Sequence, residues 1–262
     1  GFFAAKPPQG KKRPLGGAAS RRQSAQRGGF FSYCILMNVT ALSDIEQARF
    51  NMIEQQIRPW DVLDQNILQA LFAVRRERFV PPGLQALAFS DVELPITLNA
   101  HDTRETMLAP RVEARLAQEL LLKPNNCVLE VGTGSGYQAA LLAHLAQQVT
   151  SIEIDSRIAA FGEQNLQRNQ VSNVKVEIGA GHAGWGTAEY DAILLTGSTP
   201  AVPDALKYQL CIGGRMVVVV GQGPVMTAYR ITRTSAASFD TVGLFDTVIK
   251  PLRGTAVSTF KF

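Results

Sequence analysis

Val128-Leu129-Glu130-Val131-Gly132-Thr133-Gly134-Ser135-Gly136-Tyr137 reads as a buried strand that ends in a glycine-rich turn and opens a helix. Such a turn lets a ligand come close to the backbone and presents free N–H groups at a helix start. The glycines at 132, 134 and 136 give a GxGxG spacing. The dinucleotide fingerprint GxGxxG needs a small residue at position 137, where Tyr137 stands, so the loop departs from the NAD pattern. The next apolar stretch, Thr150-Ser151-Ile152-Glu153-Ile154, carries an acid 17 positions after Gly136. A carboxylate at the tip of a neighbouring strand can accept both ribose hydroxyls of an adenosine ligand through short, charge-assisted bonds.

Outward from the loop, strands and helices alternate. Strands are predicted at 127–131, 149–154, 174–178, 192–196 and 215–220, with helices at 137–146, 156–169 and 203–210 between them. That alternation predicts an α/β fold with a doubly wound, mostly parallel sheet. Residues 226–234 and 239–249 are close enough in sequence to form an antiparallel hairpin at one sheet edge.

Upstream, Ser43-Asp44-Ile45-Glu46 is a capping box, and Ile45, Phe50, Ile53 and Ile57 suggest a helical stripe that ends before Pro59. A second helix is expected at 64–74 and a third from Pro110 to Leu122. Residues 91–109 read as a loop. The expected organisation is a basic tail at 1–36, a helical unit with its following loop at 37–109, and the α/β domain at 110–262.

Of the 262 residues, 46% are hydrophobic and 18% charged, enough apolar material for a core. No apolar run reaches the ~18–20 residues of a membrane span. Cys34, Cys127 and Cys211, like His101, His144 and His182, are scattered and lack metal-ligand spacing. The net charge of +4 is misleading. Residues 1–36 hold seven basic residues and no acid, so the remainder carries 19 basic against 22 acidic residues. A mildly acidic body gives no reason to expect a nucleic-acid partner. The tail, rich in Gly, Pro, Ser and Arg, is expected to be disordered: a transit peptide, a polyanion-binding arm, or a non-native extension ahead of Met37. Cytoplasm is the default compartment.

These residues together resemble a class I S-adenosylmethionine-dependent methyltransferase and, more narrowly, the protein-L-isoaspartate O-methyltransferase family. The resemblance spans about residues 48–250. Its carriers are Met52-Ile53-Glu54-Gln55-Gln56-Ile57-Arg58, Arg76-Glu77-Arg78-Phe79-Val80-Pro81, Leu94-Pro95-Ile96, the glycine loop and Ser151-Ile152-Glu153-Ile154. Gly184-Trp185, Tyr190–Thr196 and Gly213-Gly214-Arg215 complete them. The resemblance implies methyl transfer to the carboxylate of L-isoaspartyl residues in damaged proteins, with S-adenosyl-L-methionine as cofactor. It implies that Gly132, Thr133, Gly134, Ser135 and Gly136 cradle the methionine part and that Glu153 holds the ribose. Ala180 and Gly181 lie along the adenine, and Ile154 and Thr196 complete the cofactor set. Thr106, Met107, Leu108 and Pro110 form the acceptor loop.

Two positions depart from the family's pattern. Ala180 stands where members have an aspartate that accepts from the adenine amine. Leu108 stands where members carry a serine or threonine hydroxyl beside the acceptor, in a loop longer than usual. Leucine neither donates nor accepts a hydrogen bond. The departures leave two alternatives open, a different methyl acceptor or a cofactor-binding module without catalysis. Carboxylate methylation needs no general base, so no catalytic residue is assigned. His101, Asp102 and Glu105 could supply a base to a different acceptor, or be solvated loop residues. Trp185 could cover the cofactor or belong to the core. His182 reads as a packing residue and Asp191 as structural.

Overall fold

The computed structural model describes residues 43–99 and 101–255, so the basic tail at 1–36 lies outside the described residues. Helices α1 (Asp44–Met52) and α2 (Gln65–Ala73) come first, followed by strands β1 (Leu94–Leu98) and β2 (His101–Met107). Then follow α3 (Pro110–Glu119), β3 (Cys127–Val131), α4 (Tyr137–Leu145), β4 (Gln148–Glu153), α5 (Ser156–Arg168) and β5 (Val174–Ile178). The chain closes with β6 (Tyr190–Leu195), α6 (Asp204–Tyr208), β7 (Leu210–Gln222), β8 (Val225–Arg233) and β9 (Phe239–Asp246).

Seven strands form one sheet in the order β5-β4-β3-β6-β7-β8-β9, parallel from β5 through β7 and antiparallel from β7 to β9. This is the Rossmann-like arrangement predicted from the alternation. The chain leaves β3 towards β4 on one side and later returns to β6 on the other. A crevice therefore opens at the carboxyl end of β3, the place where α/β sheets bind ligands.

The two faces of the sheet pack separate cores. Met52, Ile53, Ile57, Leu68 and Leu71 of the N-terminal helices share one cluster with Leu116 of α3, Leu141 of α4, and Val128, Leu194 and Val217 of the sheet. Residues on both sides of position 110 thus bury the same core. The opposite face buries Leu129, Val131, Ile193 and Met216 with Leu206 of α6. A third cluster joins Phe79 and Val80 to Leu94, Ile96, Met107 and Tyr137, and so pins the β1–β2 hairpin to the start of α4.

The structure corrects three expectations. Residues 91–109 are not a loop: β1 and β2 pair antiparallel, Leu94 with Met107 and Leu98 with His101, with an irregularity between Pro95 and Thr97. In the first helix Ile53 and Ile57 are buried, but Ile45 and Phe50 face solvent, and α1 ends at Met52 in a π-turn over Ile53–Ile57. The strand expected at 215–220 extends from Leu210 to Gln222, which shortens α6 to Asp204–Tyr208.

Candidate active site

A cleft opens at the carboxyl ends of β3, β4 and β6. Its floor is the glycine loop. Gly132, Gly134 and Gly136 all have positive φ, at +105°, +53° and +82°. At Gly132 a side chain has no room, since a Cβ there would lie 2.2 Å from Thr196 Oγ1. Thr196 is held in that place, its hydroxyl donating to Gly132 O at 2.8 Å and its N–H to Val131 O at 3.1 Å. From the far side, Asn165 of α5 donates to Ser135 O at 2.9 Å.

Glu153 ends β4 in the cleft. It is 8% exposed and accepts from the N–H groups of Gly134 at 3.1 Å and Asp155 at 3.2 Å. Burial raises its carboxyl pKa, and these backbone donors oppose the rise. Its orientation is therefore set by the loop it faces.

Beneath the loop lies a second acid. Glu130 of β3 is fully buried and accepts from Ser151 Oγ at 2.5 Å, and Ser151 Oγ lies 2.6 Å from Thr133 Oγ1. Its other oxygen has no partner. Burial pushes its pKa up to about 8, against the Ser151 hydrogen bond. The native state therefore holds this proton up to about pH 8, whereas the unfolded chain releases it near pH 4.5. Stability falls as pH rises across that window. Glu130→Gln is expected to raise the unfolding temperature clearly at pH 9 and little at pH 5, as thermal unfolding at the two values would show.

The other wall is built from the β1–β2 hairpin and the start of α3. Ile96, Glu105, Thr106, Met107 and Leu108 line the cleft, as does Glu113 of α3. Burial pushes the Glu113 pKa up to about 7, opposed by the Arg76 guanidinium that pairs with it. Lys250, Pro251, Leu252 and Arg253 form a strap across the mouth. Arg253 donates to Glu105 at 2.5 Å, to Thr103 O at 2.7 Å and to Asp155 at 3.2 Å, and Lys250 donates to Arg104 O at 2.6 Å.

Of the residues singled out in the sequence, Gly132, Thr133, Gly134, Ser135, Glu153, Ile154, Ala180, Gly181, Thr196, Thr106, Met107 and Leu108 all line this one cleft. Gly136 and Pro110 do not. Gly136 caps α4 against Gly162 of α5, and Pro110 opens α3. His182, expected to be a packing residue, faces the cleft, as does Glu105, for which the sequence left a base role or a solvated one open. His101 and Asp102 line a separate cavity between the hairpin and α5. Trp185 lies against Gly179 and donates to Glu177 at 2.6 Å, outside the cleft lining. Asp191 is structural, accepting from the Cys127 N–H at 2.7 Å. Sequence reasoning missed the strap, which has no periodicity, and Glu113. The signal for Glu113 was an acid in the helical stripe Val112, Leu116, Ala117, Leu120.

The model of the protein-L-isoaspartate(D-aspartate) O-methyltransferase family matches residues 47–252. The chain belongs to that family. It is 39% identical over 215 residues to protein-L-isoaspartate O-methyltransferase 2 of Marinobacter nauticus, covering 81% of this chain and 94% of that one. It is 42% identical over 177 residues to protein-L-isoaspartate O-methyltransferase of a Synechococcus species, covering 67% and 70%. Among solved structures, it resembles a Plasmodium falciparum chain assigned to the same family and crystallised with S-adenosyl-L-homocysteine. That match has a TM-score of 0.65 and 19% identity, and covers 79% of this chain and 97% of that one. Another protein-L-isoaspartate O-methyltransferase superposes with a TM-score of 0.69 at 22% identity, over 80% and 66%. These likenesses establish the methyltransferase fold. Ala180 and Leu108 both lie at the cleft surface. Among the described residues, no helix is long and apolar enough to cross a membrane, and no group of three or more His, Cys, Asp and Glu could hold a metal ion.

Proposed function

We propose that the chain transfers a methyl group from S-adenosyl-L-methionine to the carboxylate of L-isoaspartyl residues in proteins and peptides. One observation carries this reading: in a member of this family, a single cleft is lined on one side by the glycine loop and Glu153 and on the other by the β1–β2 hairpin and Leu108.

The residues fit the cofactor. Gly132 leaves backbone exposed where any side chain would collide, and Glu153 offers a carboxylate already aimed by two N–H groups. We assign Gly132, Thr133, Gly134 and Ser135 to the methionine part, with Gly136 shaping the turn behind them, Glu153 and Ile154 to the ribose, and Ala180 and Gly181 to the adenine. Thr196 supports the loop from below. When bound, the cofactor supplies a methyl group on a positively charged sulfur. The acceptor carboxylate is already ionised at neutral pH, so the chain needs no general base. Its work is to orient that carboxylate and exclude water, which Ile96, Met107, Leu108 and Leu252 do from the apolar part of the wall. Orientation alone can supply ~7–11 kcal/mol of a barrier. Thr106, Met107, Leu108 and Pro110 make the acceptor side, where Thr106 donates to Glu93 at 2.8 Å.

The test is transfer of labelled methyl from S-adenosyl-L-methionine to an isoaspartyl peptide beside its normal aspartyl twin, with S-adenosylhomocysteine binding measured in the same preparation. Label on the isoaspartyl peptide alone supports the reading. Binding with no label on either rejects that acceptor. Glu153→Gln is expected to weaken S-adenosylhomocysteine binding about 10- to 100-fold, the worth of charge-assisted bonds. In the unmodified protein affinity is expected to fall on acidification as Glu153 protonates, and in the variant to stay flat. Isothermal titration across pH checks both.

A further inference from the structure

Leu108 meets the cleft with an apolar side chain, so no hydroxyl at that position orients the acceptor. One buried cation governs where Leu108 sits. Arg76 is 1% exposed and comes from the short turn Arg76–Arg78. Its Nε donates to Ala88 O at 3.0 Å, its Nη1 to the Glu113 carboxylate, and its Nη2 to Leu108 O at 2.9 Å. The face of the guanidinium lies 5.1 Å from the centroid of the Tyr137 ring. Leu108 and Glu113 both line the cleft, and Tyr137 opens α4 directly after the glycine loop. A planar fork can serve three acceptors while stacking on a ring, which an ammonium cannot do.

We propose that Arg76 is a positioning residue for methyl transfer: by holding the Leu108 carbonyl and Glu113 while stacked on Tyr137, it fixes the acceptor side relative to the glycine loop. The kinetic part rests on the isoaspartyl reading, and the structural part does not. Arg76→Lys keeps a cation beside Glu113 but cannot span three acceptors. It is expected to raise KM for an isoaspartyl peptide about tenfold or more and to lower kcat, since a small misplacement near the chemistry is costly. S-adenosylhomocysteine affinity is expected to stay within about twofold. Hydrogen–deuterium exchange on the S-adenosylhomocysteine-bound protein should become faster at 106–109 and remain unchanged at 132–137. Arg76→Met/Glu113→Leu, in which the pair becomes apolar, is a second route to the same loss and should show the same local loosening. Arg49→Lys is the control, because Arg49 is a buried arginine paired with Glu77 at 2.5 Å away from the cleft. It should leave exchange at 106–109 unchanged. Wild-type exchange at 106–109 in either Arg76 variant overturns the proposal. So does loosening of 132–137 with an equal loss of S-adenosylhomocysteine affinity, which would mark Arg76 as a general fold element. Failure of the unmodified protein to methylate the isoaspartyl peptide would defeat the functional reading alone, and the exchange arm would still decide Arg76.

Discussion

Replacing Gly136 with alanine is expected to weaken S-adenosylhomocysteine binding about 100-fold or more, equivalent to ~2.7 kcal/mol. Two effects add. Gly136 has φ +82°, a conformation that costs an L-residue ~1–2 kcal/mol. The new Cβ would also lie 2.8 Å from the carbonyl oxygen of Gly162 and 3.2 Å from Leu166 Cγ. A helical carbonyl cannot rotate away, so α5 or the loop must move. α5 begins directly after Asp155, whose N–H, with that of Gly134, orients Glu153. Displacement on either side breaks the register between the loop and the Glu153 carboxylate. Gly213→Ala is the matched control. Its φ is +84°, but nothing lies within 4 Å of a Cβ there, so it should lose stability without losing affinity. Calorimetric titration of both variants decides the matter. Affinity within about threefold of wild type in Gly136→Ala would show that the packing of the turn against α5 does not set the geometry of the cleft.

Arg76→Met is expected to lower stability by ~3–5 kcal/mol, the cost of breaking a buried ion pair. At ~2–4 °C per kcal/mol for a domain of this size, the unfolding temperature should drop by roughly 6–20 °C. The reason is Glu113, which would remain buried with no counter-charge, while the carbonyls of Ala88 and Leu108 lose their donor. Without the guanidinium the acid keeps its proton to higher pH, so the loss should be smaller at pH 6 than at pH 9. Arg76→Met/Glu113→Leu should recover most of the stability, because an apolar pair of similar volume avoids the desolvation cost. Thermal unfolding of the single and double variants at both pH values separates the pair's electrostatics from its packing.

The fold and the cofactor side were legible because they rest on local rules. Strand, glycine turn and helix lie in ten consecutive residues, and Glu153 follows one strand later. The hairpin was not legible because β2, His101-Asp102-Thr103-Arg104-Glu105-Thr106-Met107, is mostly polar and points only Thr103 and Met107 inward. Its partner β1 contains Pro95 and a break in register, so neither strand shows clean alternation. The stripe in α1 misled because Ile45 and Phe50 lie five residues apart, a spacing that does not share one helix face, and both stay exposed. Arg76 and Glu113 lie 37 residues apart and meet only when the turn Arg76–Arg78 and α3 come together. Their chemistry comes from burial, which no local pattern records.

The strap at Lys250–Arg253 has a consequence for how the protein comes into being. It follows β9, so it is the last described part of the cleft to be synthesised, although it touches residues as early as Thr103. Thr103 therefore waits for a partner 150 residues downstream, made after the last strand of the sheet. Until it is made, the cleft lacks one wall. Order of synthesis thus makes this wall the last described piece of the cleft to be put in place.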